Sequence, residues 1–371
     1  MNKHIISFAS IVLGGIILLA GCQKDGTTSK AGSLVKFTAG LKPAATRTAY
    51  SGVVTNNFER INWEEGENIV IWSDGAVDRN NTSANYASYA ISSPQTFGVK
   101  SNASLNSLTD GNGLIWVDGE ETYKFWGSSP AISGTPVNGK ASFTIPAAQQ
   151  MKSGATADTA TVGAVTTVTL PADMSNAWMF ACVEGAKPGK DGVQLDFYPA
   201  FTAFELTFEG DKEYDGNITV TQVDLISDSP LAGSVEATLA PGTRTNTVGE
   251  VAHTIGASTY ACTAAGESPY TLSYTLPEGS VVSAKDRIVL TVFALPQDVA
   301  GLKLRFHVTI EGEETTFTGT LSKGGQPITF GACEKHRIKG VAVPGNRWKI
   351  YYQADLTLDE WVPVDNPINF E

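Results

Sequence analysis

Apolar and polar residues alternate along most of this chain with a period of two, the pattern of strands that bury one face. Val35, Phe37, Ala39 and Leu41 alternate with Lys36, Thr38, Gly40 and Lys42. Leu302, Leu304, Phe306, Val308 and Ile310 alternate with Lys303, Arg305, His307, Thr309 and Glu311, and the turn at "EGEE" sends the chain back along Thr315–Leu321. The run Asp286–Pro296 is apolar at both parities, as expected of a central strand covered on both sides. In Val193–Gly210 the apolar parity changes, from Val193, Leu195 and Phe197 to Phe204, Leu206 and Phe208, with Pro199 between; such a slip predicts a bulge or bend. Asp-Gly and Asn-Gly pairs, among them Asp74-Gly75, Asn112-Gly113 and Asn138-Gly139, supply the positive-φ turns between strands. Helical periodicity is confined to a turn or two, near Ala103–Leu108 and Ala147–Lys152.

Many short strands with Gly- and Pro-rich turns predict an all-β protein of sandwiches or barrels. The length of 371 residues suits two such domains, and Val183–Gly192, polar with glycine-containing turn pairs, is the candidate linker.

The chain opens with Lys3 and His4 and then runs apolar from Ile5 to Ala20, which is shorter than the roughly 20 residues a spanning helix needs. This is the pattern of a secretory signal. It ends in Leu19-Ala20-Gly21-Cys22, which resembles the lipobox of bacterial lipoproteins. That resemblance implies cleavage before Cys22 and acylation of its thiol and new amino group, so that two or three chains anchor a soluble domain at the outer membrane. Formal charge is −12, and Lys3 leaves with the signal. So acidic a chain argues against nucleic acid or anionic lipid as a partner. Cys182, Cys262 and Cys333 remain, an odd number for an exported protein; one disulfide with a free thiol and three buried thiols both fit.

The motifs of catalysis are thin. His253, His307 and His336 stand in no metal-binding spacing, and His307 falls on the polar face of its strand, where solvation is the default. Asp78–Ser83 offers oxygen ligands without the Gly and Glu positions of a calcium loop, so a polar loop is the expectation. Neither a nucleophile elbow nor a phosphate loop is present, and no cofactor or metal is expected. The seven tryptophans could make a carbohydrate platform, but most sit in apolar strand patterns and are expected in the core.

Taken in order, several segments resemble the fimbrillin family, the pilins and accessory lipoproteins of type V pili in anaerobic Gram-negative bacteria. They are the lipobox, Phe37-Thr38-Ala39, Thr46-Arg47-Thr48, Trp63–Ile71 in the form W-x-x-G-[DE]-x-I-x-[VI], the aromatic segment Tyr123–Pro130, Pro146–Gln149, Trp178–Ala181 and Val193–Ala200. The C-terminal half matches loosely. The resemblance implies two tandem antiparallel β-sandwich domains similar to transthyretin and no enzymatic activity. It implies an arginine-specific protease that cuts between Arg47 and Thr48 at the cell surface. Val35, Phe37, Ala39 and Leu41 would be the removed strand, and a strand from another pilus subunit, in a homo- or hetero-polymer serving adhesion, would fill the groove.

The expected organisation is a signal peptide at 1–21, a tether with the removable strand at 22–47, and sandwiches at 48–188 and 189–371. The alternating run Trp348–Leu358 reads as a strand of the second domain. The terminal segment with Trp361, Val362, Val364, Ile368 and Phe370 is the candidate donor strand, since nothing follows to tie it down. The rival reading is a monomeric surface lipoprotein that binds a glycan or host ligand. An exported hydrolase ranks below both.

Overall fold

The structure, a computed structural model, describes residues 32–41, 54–55, 58–59, 65–93, 103–107, 112–119, 121–189, 192–213, 216–248, 251–323, 326–343, 347–353 and 368–369. Among these the chain is all-β, and its one helical element is the single 3-10 turn Met174–Asn176, capped by Asp173. The two segments with local helical spacing are strands, Ala103–Ser107 and Ala148–Gln150. Neither reaches the length at which helix propagation repays nucleation.

Seven strands close into a barrel in the order Phe37–Leu41, Val193–Pro199, Met179–Ala186, Tyr123–Ser129, Asn68–Ser73, Tyr86–Ser93 and Ala103–Ser107, the last pairing back on the first. Its core holds Phe37, Ile69, Ile71, Trp72, Tyr89, Phe125, Leu195 and Phe197. A three-stranded sheet, Lys140–Ile145, Gly233–Thr238 and Thr259–Ala264, adds Phe143, Ile145, Val235 and Ala237 to that core.

The second core lies between two further sheets. One runs Asp158–Val162, Val165–Thr169, Asp286–Ala294, Thr202–Gly210, Lys335–Val343, Arg347–Gln353 and Ile368–Asn369. The other contains Ala148–Gln150, Tyr270–Thr275, Ile218–Ser227, Lys303–Ile310 and Glu313–Thr320. Phe208 and Phe306 meet edge to face across the gap at 5.0 Å. Asp286–Ala294 is the central strand its sequence suggests, flanked by Thr202–Gly210 and Val165–Thr169. Among the described residues pairing is mostly antiparallel, and four pairs of strands run parallel.

One expectation is corrected. The polar stretch Val183–Gly192 does not link domains: it closes the hairpin between two barrel strands, Met179–Ala186 and Val193–Pro199. A division at 188/189 therefore cuts the barrel. The hairpin Asp158–Thr169 lies before that point yet joins the second sandwich, and Gly233–Ala264 lies after it yet packs on the barrel. The parity change after Phe197 is the bend of the two expected alternatives, at Phe201, and it separates two strands. Val193–Pro199 belongs to the barrel and Thr202–Gly210 to the seven-stranded sheet, so the chain passes between cores through buried Ala200 and Phe201. Phe201 packs edge to face on Phe293 at 5.1 Å.

Candidate functional site

The strand Phe37–Leu41 closes the barrel in an unusual manner. It runs parallel to Val193–Pro199, in the register Phe37↔Val193 to Leu41↔Phe197, across about 150 residues of intervening chain. On its other side it meets Ala103–Ser107 at two positions, Thr38↔Ser104 and Ala39↔Ala103. Upstream, the Gly32 N–H donates to Trp116 O (2.8 Å) and the Val35 N–H to Leu114 O (2.8 Å), while the Trp116 N–H donates to Ser33 O (3.1 Å). The strand is thus laid between two edges and is not the arm of a hairpin.

Its side chains divide as the alternation predicts. Val35, Phe37 and Ala39 are buried at 4%, 3% and 0% exposure, whereas Lys36 faces solvent. The Phe37 ring sits edge-on to Tyr89 (5.3 Å) and Phe125 (5.2 Å). Both walls are held by groups outside the strand. The Tyr89 hydroxyl accepts from the Leu114 N–H at 2.8 Å, and burial pushes that phenol well above its ordinary pKa. Phe125 packs on Trp116 at 5.6 Å and on Tyr123 at 6.0 Å. Beside the strand, the Val193 N–H donates to Lys36 O at 2.7 Å. A Cβ on Gly192, whose φ is +73°, would stand 2.8 Å from that same oxygen, so the close approach requires glycine.

Of the expected site residues, Val35, Phe37 and Ala39 come together in this slot; Leu41 extends the pairing to Phe197. Cys22, Arg47, Thr48, Trp361, Val362, Val364 and Phe370 lie outside the described residues. Ile368, with Asn369, pairs with Ile350 and Lys349 at one edge of the seven-stranded sheet. Arg347–Gln353 is a strand of that sheet, as the alternation from Trp348 suggests. Tyr89, Phe125 and Gly192 line the slot and are not apparent from sequence, because each serves it through a distant partner.

His307 is not simply solvated. Asp224, 1% exposed, sits one strand away, and its Oδ2 meets His307 Nε2 at 2.8 Å and Arg305 Nη2 at 2.7 Å. Burial alone would raise the Asp224 carboxyl; donors from His307, Ser273, Gln222 and Arg305 outweigh it and hold the group below its ordinary value. On the seven-stranded sheet, burial likewise opposes ionisation of Glu205, and Lys335 (2.5 Å) and Arg337 (3.0 Å) outweigh it. These are cross-strand ion pairs on sheet faces.

Buried His336 packs against Phe204 and Phe330, with Nε2 3.1 Å from Gly331 O. Asp78 turns its own loop by accepting from the N–H groups of Asn80 and Asn81. Among the described residues no group of His, Cys, Asp and Glu is placed to hold a metal.

Cys182, Cys262 and Cys333 are free thiols, and burial pushes them up to about 12, 11 and 12. Trp72, Trp116 and Trp126 are core residues. Among the described residues no helix is long and apolar enough to cross a membrane. What the slot can do is bind a strand: main-chain pairing on two sides and apolar pockets at alternate positions.

No family model and no curated protein matches the chain. Among solved structures it is similar to a protein from Bacteroides ovatus provisionally described as a cell adhesion protein, with 15% identity over 91% of this chain and 100% of that one (TM-score 0.49). A protein of the same description from Bacteroides uniformis is 15% identical over 87% of this chain and 99% of that one (TM-score 0.48). A fimbrial assembly protein from Parabacteroides distasonis is 12% identical over 91% of this chain and 98% of that one (TM-score 0.36).

Proposed function

We propose that this chain is a non-enzymatic structural subunit of a cell-surface pilus, exported as a lipoprotein and assembled by strand exchange. The observation that carries the reading is the seating of Phe37–Leu41. An N-terminal strand that completes a barrel in parallel, with no hairpin joining it to either neighbour, is a strand that can leave without unthreading the fold. Its departure would expose the edges of Val193–Pro199 and Ala103–Ser107 and the apolar pockets between them. Such an edge is an aggregation hazard that has to stay covered until a new strand arrives. Arg47 in Thr46-Arg47-Thr48 lies six residues beyond the strand and is the cleavage point of this reading; Cys22 upstream is the acylated residue that holds the precursor at the outer membrane. The protein's partners are then other pilus subunits, the lipid bilayer through its anchor, and an arginine-specific protease. The segment with Trp361, Val362, Val364, Ile368 and Phe370 is the strand it would offer in turn. The rival glycan platform loses support from the burial of Trp72, Trp116 and Trp126.

The test is to treat purified precursor with an arginine-specific protease, sequence the new N-terminus and follow assembly by gel and light scattering. A mature chain beginning at Thr48 that forms ladders is expected. A chain cut after Arg47 that stays monomeric at all concentrations rules out assembly by strand exchange.

A further inference from the structure

We infer that the slot selects its occupant by side-chain size in a fixed order: an extended segment of another protein chain reading apolar–x–aromatic–x–Ala or Gly, in the direction of the strand it replaces. This rests on the strand-exchange reading above and adds which strand is accepted. The first element is the Phe37 pocket. Its walls, Tyr89 and Phe125, are held by the Leu114 N–H and by Trp116 and Tyr123. Leu114 and Trp116 pair in turn with Ser33 and Val35 of the departing segment, so an incoming strand that restores those main-chain bonds also restores the pocket. A planar ring met edge-on by two others is the shape it fits.

The second element is the absence of room two residues later. Ala39 and its register partner Leu195 both have 0% exposure, so no void of solvent size adjoins position 39. A larger residue at position 39 has nowhere to go.

The third element is backbone. Glycine at 192 lets the chain at Lys36 approach to hydrogen-bonding distance of Val193, which sets the register from which the wide and narrow positions are counted. A reversed strand would keep its aromatic ring at the central position but bring its first apolar residue, Val35 here, to the narrow position held by Ala39. Residues at 36 and 38 face outward or partly so and are free to vary.

The test uses the full chain, folded and then cut by the arginine-specific protease, and challenged with fluorescent peptides of residues 33–42. Peptides carry the natural sequence, Phe37→Ala, Ala39→Leu or Thr38→Val; bound peptide is read by anisotropy, with uncut chain as the control. The natural and Thr38→Val peptides are expected to enter with affinities within about threefold. Phe37→Ala and Ala39→Leu should each bind at least roughly thirtyfold more weakly. Equal entry of all four peptides overturns the size order while leaving strand exchange standing. Entry of none into a cut chain overturns strand exchange itself, and the size order with it. If the protease leaves the chain intact, full-length Phe37→Asp is refolded with each peptide present. Rescue by the natural peptide and not by Ala39→Leu supports the order, and rescue by both or neither overturns it.

Discussion

The side chain of Gln149 pairs with the main chain of Phe293 as a neighbouring strand would: Nε2 donates to the Phe293 carbonyl at 2.6 Å and Oε1 accepts from the Phe293 N–H at 3.0 Å. Nε2 also lies 3.2 Å from Pro146 O. Phe293 stands where Asp286–Ala294 has lost its neighbour Val165–Thr169, whose pairing ends at Val289, so these main-chain groups would otherwise be buried without partners. This gives the Pro-x-x-Gln segment a physical role: it completes the central strand at the junction of the two cores.

Replacing Gln149 by Leu should therefore destabilise the protein by roughly 2–5 kcal/mol, since each orphaned buried group costs about 1–3 kcal/mol. Its exposed neighbour is the control: Gln150→Ala should stay within about 0.5 kcal/mol. Urea denaturation of both variants measures the difference.

Phe37 tests the first strand as part of the core. Phe37→Ala should cost about 3–5 kcal/mol in the uncut chain, and Lys36→Ala, on the outer face, within about 0.5 kcal/mol. Equal midpoints for the two variants in a thermal melt would mean the strand is a tether and not a wall of the barrel.

Gly256 lies against Tyr198 so closely that an added Cβ would be 2.7 Å from Tyr198 Cβ and 2.9 Å from its Cγ. This contact seats the hairpin Thr243–Gly256 on the barrel strand Val193–Pro199. Gly256→Ala should cost about 1–3 kcal/mol by overpacking. Because Tyr198 Cβ is itself part of the clash, Tyr198→Gly should relieve more of that cost than Tyr198→Ala. A double-mutant cycle that gives strict additivity would contradict the contact.

Asp224 sets a pH dependence of definite sign. Its folded pKa lies below its unfolded value, so its contribution is fully present above about pH 4 and is lost as pH falls through the folded pKa. Glu205 adds to the same acid-side loss. Asp224→Asn should lower stability at neutral pH by roughly 1–3 kcal/mol and flatten the decline below about pH 4. Urea midpoints taken from pH 2.5 to 7 should show the two curves converging in acid.

The anchor is tested separately. Labelled palmitate should enter the wild-type protein and be absent from Cys22→Ser, whereas equal labelling would remove Cys22 as the acylated residue.

What the linear sequence determined is the part of the fold that depends on neighbours two residues apart. Alternation in Val35–Leu41 and Leu302–Ile310 placed Phe37 and Phe306 inside and Lys36 outside, because successive side chains on a strand point to opposite faces whatever strand lies alongside. The loss of that alternation in Asp286–Pro296, apolar at both parities, identified a central strand. Periodicity could not say which strands pair, since pairing is decided by contacts between residues far apart in the chain and by how two cores divide them. Only the folded chain shows that Phe37 lies beside Val193, that the parity change after Phe197 is a passage from barrel to sandwich, and that Val183–Gly192 turns a hairpin. His307 reads as a solvated residue because its partner, Asp224, is 83 positions away. The Phe37 pocket belongs to the same class: the alternation marks Phe37 as buried, but Tyr89 and Phe125 become its walls only when barrel closure brings three separate strands to one point.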